Sequence, residues 1–274
     1  MKKILLFLGV VLFSLVITGS VDAKSDKKYA PESEEAIESG IYDVKGRPDL
    51  KLRVFVYHGK PLEKSAKPGP IQPTLICSST PVNDPESEAV ISNFGVTLPS
   101  TWEYRLNPSS VPSLVGAEDL PKIATNSFKV WQDEIISTTI SRGYDTSVNR
   151  AQFDGQNIVS WGRASASALA VSYLWYYPDT RKMAEVDTIM NNRFAWEWSD
   201  PSTWVKGETC AYEGVYDAQN IMTHEFGHTM GLNDHYTSEY INNTMYGYGS
   251  KTETKKNTLT IGDISGVLNL YSQN

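Results

Sequence analysis

Three of the chain's four histidines fall in one short stretch, His224-Glu225-Phe226-Gly227-His228-Thr229-Met230-Gly231-Leu232-Asn233-Asp234-His235. Residues four apart on a helix share a face, their Cβ atoms about 5–6 Å apart, so His224 and His228 can each aim a ring nitrogen at one ion about 2.0–2.1 Å away. Imidazole suits zinc, which in catalytic sites takes three protein ligands and keeps a position for water. Glu225 projects to one side of the pair, where its carboxylate reaches that water instead of the metal. The chemistry this set can do is hydrolysis. The ion activates water and polarises a carbonyl, while Glu225 takes the water's proton as general base and later gives it to a departing amine. Two histidines do not complete such a site. Gly231 can turn the chain out of the helix and bring the next residues back toward the ion, and both Asp234 and His235 stand where a third ligand is needed. Spacing alone does not choose between them.

These residues need a helix to carry them, and its ends are legible. Asp217 is placed to cap the N-terminus and Gly231 to end the helix just beyond His228. Thr260 and Asp263 form a capping box, with Asp in the usual Glu position, for a last helix whose Ile261, Ile264, Val267, Leu268 and Tyr271 make an apolar stripe. An earlier helix opens at Asp119-Leu120-Pro121, with Asp119 expected as N-cap and Pro in the first turn. Its apolar face is Leu120, Ile123, Ala124, Phe128, Trp131 and Ile135. Strand patterns run through Trp102–Leu106, Asn157–Trp161, Ala168–Tyr176 and Ala184–Met190, the last two joined as a hairpin by Pro178-Asp179-Thr180. Farther upstream Leu52–Tyr57 alternates as a strand does, before a Pro- and Lys-rich stretch over 60–73 breaks the pattern. The chain therefore divides into residues 1–23, an N-terminal extension over 24–85 that serves as a propeptide or a docked segment, and a main domain over 86–274.

Residues 1–23 have the layout of a secretory signal peptide: Lys2 and Lys3, an apolar run from Ile4 to Ile17, then small residues ending at Ala23, after which cleavage is expected. The run is shorter than the ~18 residues that span a bilayer, and the expected mature protein is secreted, off the membrane and monomeric. The formal charge of −7 argues against nucleic-acid partners, which call for a basic face. Seven Trp and fifteen Tyr supply ample core material. Cys77 and Cys210 are the only cysteines. In an exported protein such a pair is expected to form a disulfide, the alternative being Cys77 as an inhibitory thiolate on the metal.

The active-site segment resembles the metzincin zinc peptidases, whose pattern is His-Glu-x-x-His-x-x-Gly-x-x-His or Asp followed by a Met-containing turn. His224, Glu225, His228 and Gly231 match position by position, and Asp234 falls on the third-ligand place. The resemblance thus favours Asp234, leaving His235 as the alternative ligand or a donor behind the ligands. Asn243-Thr244-Met245-Tyr246-Gly247-Tyr248 looks like the Met-turn, with Met245 as the apolar floor under the zinc and Tyr246 or Tyr248 as a donor to the transition state. Leu259–Tyr271 is similar to the C-terminal helix of the matrixin subgroup. The resemblance implies an α+β fold: a twisted, mostly parallel sheet with an antiparallel edge strand, an active-site helix, a Met-turn and a C-terminal helix. Ala168–Trp175 would be the edge that holds an extended substrate by main-chain hydrogen bonds. It implies catalytic zinc, protein or peptide substrates, and structural calcium to which Asp145, Asp154, Glu185 and Asp187 could offer oxygens. The Pro-Arg-Cys-Gly latency motif of matrixins is not present around Cys77, which stands in Leu75-Ile76-Cys77-Ser78-Ser79. The competing readings are a catalytically silent metzincin-fold binding module and a zinc hydrolase for non-peptide substrates. Glu225 argues against the former, because a structural zinc gains little from a carboxylate beside its water.

Overall fold

The structure is a computed structural model that describes residues 28–31, 36–60, 72–78, 87–135 and 137–272. The expected signal peptide and its cleavage point after Ala23 lie outside the described residues, as do parts of the N-terminal extension.

The strands in chain order are β1 (Gly40–Val44), β2 (Arg47–Gly59), β3 (Leu75–Ser78), β4 (Thr101–Leu106), β5 (Thr139–Arg142), β6 (Asn157–Gly162), β7 (Ala168–Tyr177), β8 (Lys182–Asn191), β9 (Trp196–Glu197), β10 (Thr209–Tyr212), β11 (Tyr216–Asp217) and β12 (Tyr248–Gly249). The helices are α1 (Leu120–Gln132), α2 (Ala218–Thr229) and α3 (Ile261–Tyr271). The main sheet runs β1-β2-β7-β8-β6-β4-β5, with β12 pairing parallel to the end of β2 at His58 and Gly59. Its β5, β4, β6 and β8 are mutually parallel, and β7 returns antiparallel on β8 through the turn at Pro178–Thr180. This is the α+β arrangement expected, a parallel block closed by an antiparallel strand, followed by an active-site helix and a C-terminal helix.

One addition was not expected. The β1–β2 hairpin of the N-terminal extension lies along the outer edge of β7, so β7 is not the end of the sheet. Alternation along β2 explains how it fits: successive side chains point to opposite faces. Leu50, Leu52, Val54 and Val56 join Tyr42, Val171, Tyr173 and Trp175 in a cluster on one face, while Phe55 and Tyr57 enter the main core with α2 on the other. A Pro-rich break follows β2 in sequence, yet the strand itself is buried on both faces.

The main core lies between the sheet and the helices. Trp131 of α1 is wholly buried and donates its indole N–H to the Thr223 carbonyl of α2 at 2.8 Å, and Phe128 stacks on Phe226 at 3.5 Å between ring centres. Pro121 sits in the first turn of α1, but the expected cap is different. Asp119 is already in helical conformation and its carboxylate makes no capping bond, because a turn from Gly116 leads into the helix ahead of it. The capping box on α3 forms as read: Thr260 accepts from the Asp263 N–H, and Asp263 accepts from the Thr260 N–H. Cys77 and Cys210 sit opposite one another in the β3–β10 ladder and are joined as a disulfide, so Cys77 is not a free thiolate. Among the described residues no helix is long and apolar enough to cross a membrane.

Candidate metal centre

Helix α2 begins where its sequence says it should. Asp217 accepts from the Asn220 N–H at 2.8 Å, and its other oxygen accepts from Ser199 at 2.8 Å, tying the helix start to the loop before it. Every residue of α2 is buried, so the helix runs through the centre of the molecule and not over its surface. The helix ends at Gly231, whose φ of +96° is open to glycine without strain and whose position leaves no room for a Cβ, which would fall 2.3 Å from the Val96 carbonyl. The chain then doubles back and delivers Asp234.

His224, His228 and Asp234 bring one ligand atom each into a group spanning less than 4.8 Å. Asp234 Oδ1 lies 3.1 Å from His224 Nε2 and 3.4 Å from His228 Nε2. All three atoms are buried and have no hydrogen-bond partner. The opposite ring nitrogens are committed: Nδ1 of His224 is 2.7 Å from the Thr244 carbonyl, and Nδ1 of His228 is 2.9 Å from the Leu232 carbonyl. A carbonyl can only accept, so each Nδ1 carries its proton and Nε2 is the nitrogen left to face the group. Burial drives the His224 imidazole down to about 3, which keeps it in the neutral, ligating form. Burial alone would push the Asp234 carboxyl up, but the two imidazoles facing it hold it well below the usual range, ionised. Burial would lower His228, but the facing Asp234 carboxylate raises it; two imidazoles and one carboxylate, desolvated and convergent, are a donor set that suits zinc.

His235 is not in that group. Its Nε2 accepts from the Ser92 N–H at 2.9 Å, and its ring stacks on Tyr240 at 4.0 Å, with the backbone bridged to Tyr246. Tyr236 comes in instead, donating its hydroxyl to Asp234 Oδ2 at 3.1 Å and leaving Oδ1 to the group.

Glu225 lies beside the ligands, fully buried. Its Oε2 accepts from Ser172 Oγ at 2.7 Å, while Oε1 has no partner. Burial pushes its carboxyl up to about 7, against the opposing pull of His228 and of the Ser172 hydrogen bond. Ser172 belongs to β7, so the strand holds the orientation of the carboxylate directly.

Met245 is wholly buried and lies under α2: a Cβ added at Gly227 would fall 2.2 Å from its Sδ. The turn that carries it is pinned to α3, since Asp263 accepts from the N–H groups of Thr244 and Met245 at 2.9 and 3.2 Å. Lys256, also fully buried, donates to the Thr244 and Tyr246 carbonyls at 3.0 and 2.5 Å, bracing the carbonyl that orients His224. Tyr246 and Tyr248 pack ring against ring at 5.7 Å, and Tyr248 packs on Tyr236 at 5.2 Å. Two aromatic rings stack directly on the candidate ligand imidazoles, and the sequence marked neither as part of the site. Phe55 stacks on His228 at 3.8 Å and Tyr57 on His224 at 3.9 Å.

The four acids considered for calcium are engaged locally and do not converge as a metal-binding group among the described residues. Asp145 pairs with Arg142, and Asp154 with Gln152 and Gln156. Glu185 accepts from the Asp154 and Gly155 N–H groups, and Asp187 from those of Gln152 and Ile158, so the two staple the loop before β6.

Of the residues missed in sequence, Ser172 had a signal: it is the one small polar residue in the apolar run Ala168–Trp175. Tyr236 stands two residues past a candidate ligand. Phe55 and Tyr57 had none beyond their strand alternation. The family model described as Matrixin matches residues 99–272. A search of curated proteins finds no match for the chain.

Proposed function

The chain belongs to the matrixin family of zinc metallopeptidases, and from that premise we propose that it is an exported endopeptidase in which His224, His228 and Asp234 hold zinc and Glu225 is the general base. The observation that carries the reading is the convergence of three buried, unpartnered donor atoms next to an unpartnered carboxylate oxygen. Buried polar atoms without partners are costly, and a divalent cation offsets that cost at all three ligands together. A bound zinc supplies Lewis acidity, activating water and polarising the scissile carbonyl.

The chain's own residues do the rest. The Thr244 and Leu232 carbonyls fix both imidazoles in the tautomer that ligates. Tyr236 holds Asp234 by one oxygen and so aims the other. Ser172 fixes Oε2 of Glu225, leaving Oε1 to take a proton from the attacking water and return it to the leaving amine. Export is supported by the N-terminal sequence pattern and by the Cys77–Cys210 disulfide, a bond that persists in oxidising compartments.

The test is cleavage of a quenched fluorogenic peptide mixture by the purified protein, assayed intact and after nicking between Lys60 and Gln72. Cleavage abolished by a chelator and restored by stoichiometric zinc is the expected result. Zinc-loaded protein that cleaves no peptide in either form would leave a silent binding module as the better reading.

A further inference from the structure

Lys256 is the one lysine or arginine that is fully buried among the described residues. A buried ammonium is ordinarily paired with a carboxylate. Glu253, the acid with the largest electrostatic influence on it, instead engages Lys255 and the Ser250 N–H. Lys256 Nζ is spent on two carbonyls of the turn that carries Met245, Thr244 at 3.0 Å and Tyr246 at 2.5 Å, and lies 5.2 and 5.7 Å from the ring centres of Tyr57 and Tyr246. Its backbone N–H donates to Asn220 Oδ1 at 2.7 Å, in the first turn of α2. One residue thus ties the Met245 turn to the helix that carries His224 and His228.

The Thr244 carbonyl is shared. It accepts from Lys256 Nζ and, at 2.7 Å, from Nδ1 of His224. The rest of Thr244 is fixed as well: its N–H donates to Asp263 Oδ2 at 2.9 Å and its hydroxyl to the Thr258 carbonyl at 2.6 Å. A carbonyl has two lone pairs, and one engaged by a full positive charge leaves the other a poorer acceptor. An acceptor on the far nitrogen ordinarily raises the basicity of a ligating imidazole; at His224 the ammonium draws that support away. His228 keeps the ordinary arrangement, its Nδ1 bonded to the Leu232 carbonyl, which accepts from no side-chain cation among the described residues. After burial, the Lys256 charge is the largest influence opposing a second proton on His224, and it opposes a metal cation in the same way.

We propose that Lys256 is a positioning residue of the metal centre: its ammonium clamps the carbonyl that orients His224, and its trapped charge weakens His224 as a donor, so that the ion is held less tightly and stays more electrophilic. The inference rests on the zinc peptidase reading above. An ion less neutralised by its ligands draws more strongly on a carbonyl. A hydrolytic centre needs that property, whereas a structural site gains only from tightness.

The experiment compares the full wild-type chain with Lys256→Gln, which keeps a donor without the charge, and Lys256→Met, which removes both. Each is stripped of metal and titrated with zinc against a chromophoric chelator at pH 7 and at pH 9.5. Burial, helped by Lys255 and opposed by Glu253, Asp234 and Asp263, lowers the Lys256 ammonium to about 8, so the charge is present at the first pH and gone at the second. The other titratable groups around it, Tyr57, Tyr246, His224 and Glu225, are common to all three proteins. At pH 7 Lys256→Gln should bind zinc about tenfold more tightly than wild type, the scale on which partners behind metal ligands act, and Lys256→Met more tightly by less. At pH 9.5 the advantage of Lys256→Gln should disappear. A brace without a charge role predicts the opposite sign at pH 7, because a lost brace loosens the ligands. With zinc matched and the chain nicked between Lys60 and Gln72, kcat for peptide cleavage should fall in the variants while KM holds. Zinc affinity at pH 7 that falls or stays level in Lys256→Gln, or in Lys256→Met should that one alone fold, overturns the proposal. So does a tightening that persists undiminished at pH 9.5, or tighter zinc with undiminished kcat. Affinities that move as stated in a wild type and variants that cleave nothing leave the weakened His224 standing and overturn the peptidase reading.

Discussion

Gly227 stands between His224 and His228, in the middle of a helix where glycine is an unfavourable choice. By helix propensity alone, Gly227→Ala should stabilise α2 by about 1 kcal/mol. The structure reverses that sign. An alanine Cβ would lie 2.2 Å from Met245 Sδ and 2.8 Å from Trp131 Cζ2, far inside the roughly 3.5–4.0 Å of ordinary contact. Neither wall can yield cheaply: Met245 and Trp131 are both 0 % exposed, and the Trp131 indole is fixed by its bond to the Thr223 carbonyl. Overpacking of this kind costs roughly 1–3 kcal/mol, and two rigid walls put it at the upper end. Subtracting the propensity gain leaves a net loss of about 2 kcal/mol, with α2 displaced at the residue linking His224 to His228. Urea unfolding of metal-free protein reads the stability, and competition with a chromophoric chelator reads zinc affinity, which should fall as well. In a Met245→Ala background one of the two walls is gone, so the same substitution should cost less, a coupling that a double-mutant cycle measures directly. A Gly227→Ala protein as stable as wild type, with unchanged zinc affinity, would refute the claim that the Met245 floor dictates this glycine.

Zinc content separates the two third-ligand candidates: Asp234→Ala should purify substantially depleted of zinc, whereas His235→Ala, whose ring is bonded to Ser92, should retain one zinc per chain by elemental analysis. Ser172→Ala removes a hydrogen bond that favours the ionised form of Glu225. The carboxyl should therefore move further up, and the acidic limb of the kcat/KM profile should shift to higher pH; an unshifted limb would dissociate Ser172 from the base. Removing the disulfide by Cys77→Ser and Cys210→Ser frees a loop with a sequence separation of 133. Chain entropy puts the loss at about 4–5 kcal/mol, which guanidinium unfolding resolves easily.

What was legible in the sequence was what is local. His224, Glu225 and His228 lie within one helix, and its spacing is enough to bring them together; Asp234 lies in the turn after it, where spacing left it level with His235 and only the family resemblance preferred it. The capping box at Thr260 and Asp263 was legible for the same reason, and it matters to the site because Asp263 also holds the Met245 turn. Asp119 misled because capping depends on the conformation of the preceding turn, which its own side chain does not report. The placement of β2 was illegible for a deeper reason. Leu52–Tyr57 showed a strand through its alternation, but a strand's partner is fixed by which face can be buried on both sides, a property of the folded sheet. Phe55 and Tyr57 therefore reach their histidines across more than half the chain, with no motif to mark them. Ser172 reaches Glu225 in the same way, and only its polarity within an apolar run gave it away.

The central claim is that Glu225 moves the proton at a zinc held by His224, His228 and Asp234. It is tested most directly by the initial rate of peptide cleavage by Glu225→Ala protein nicked between Lys60 and Gln72, compared with wild type nicked likewise at matched zinc content. The account predicts one zinc per chain in both and a rate lower by about 10²–10⁴-fold in the variant, the range for loss of a general base. A variant that carries its zinc and cleaves at the wild-type rate would contradict it.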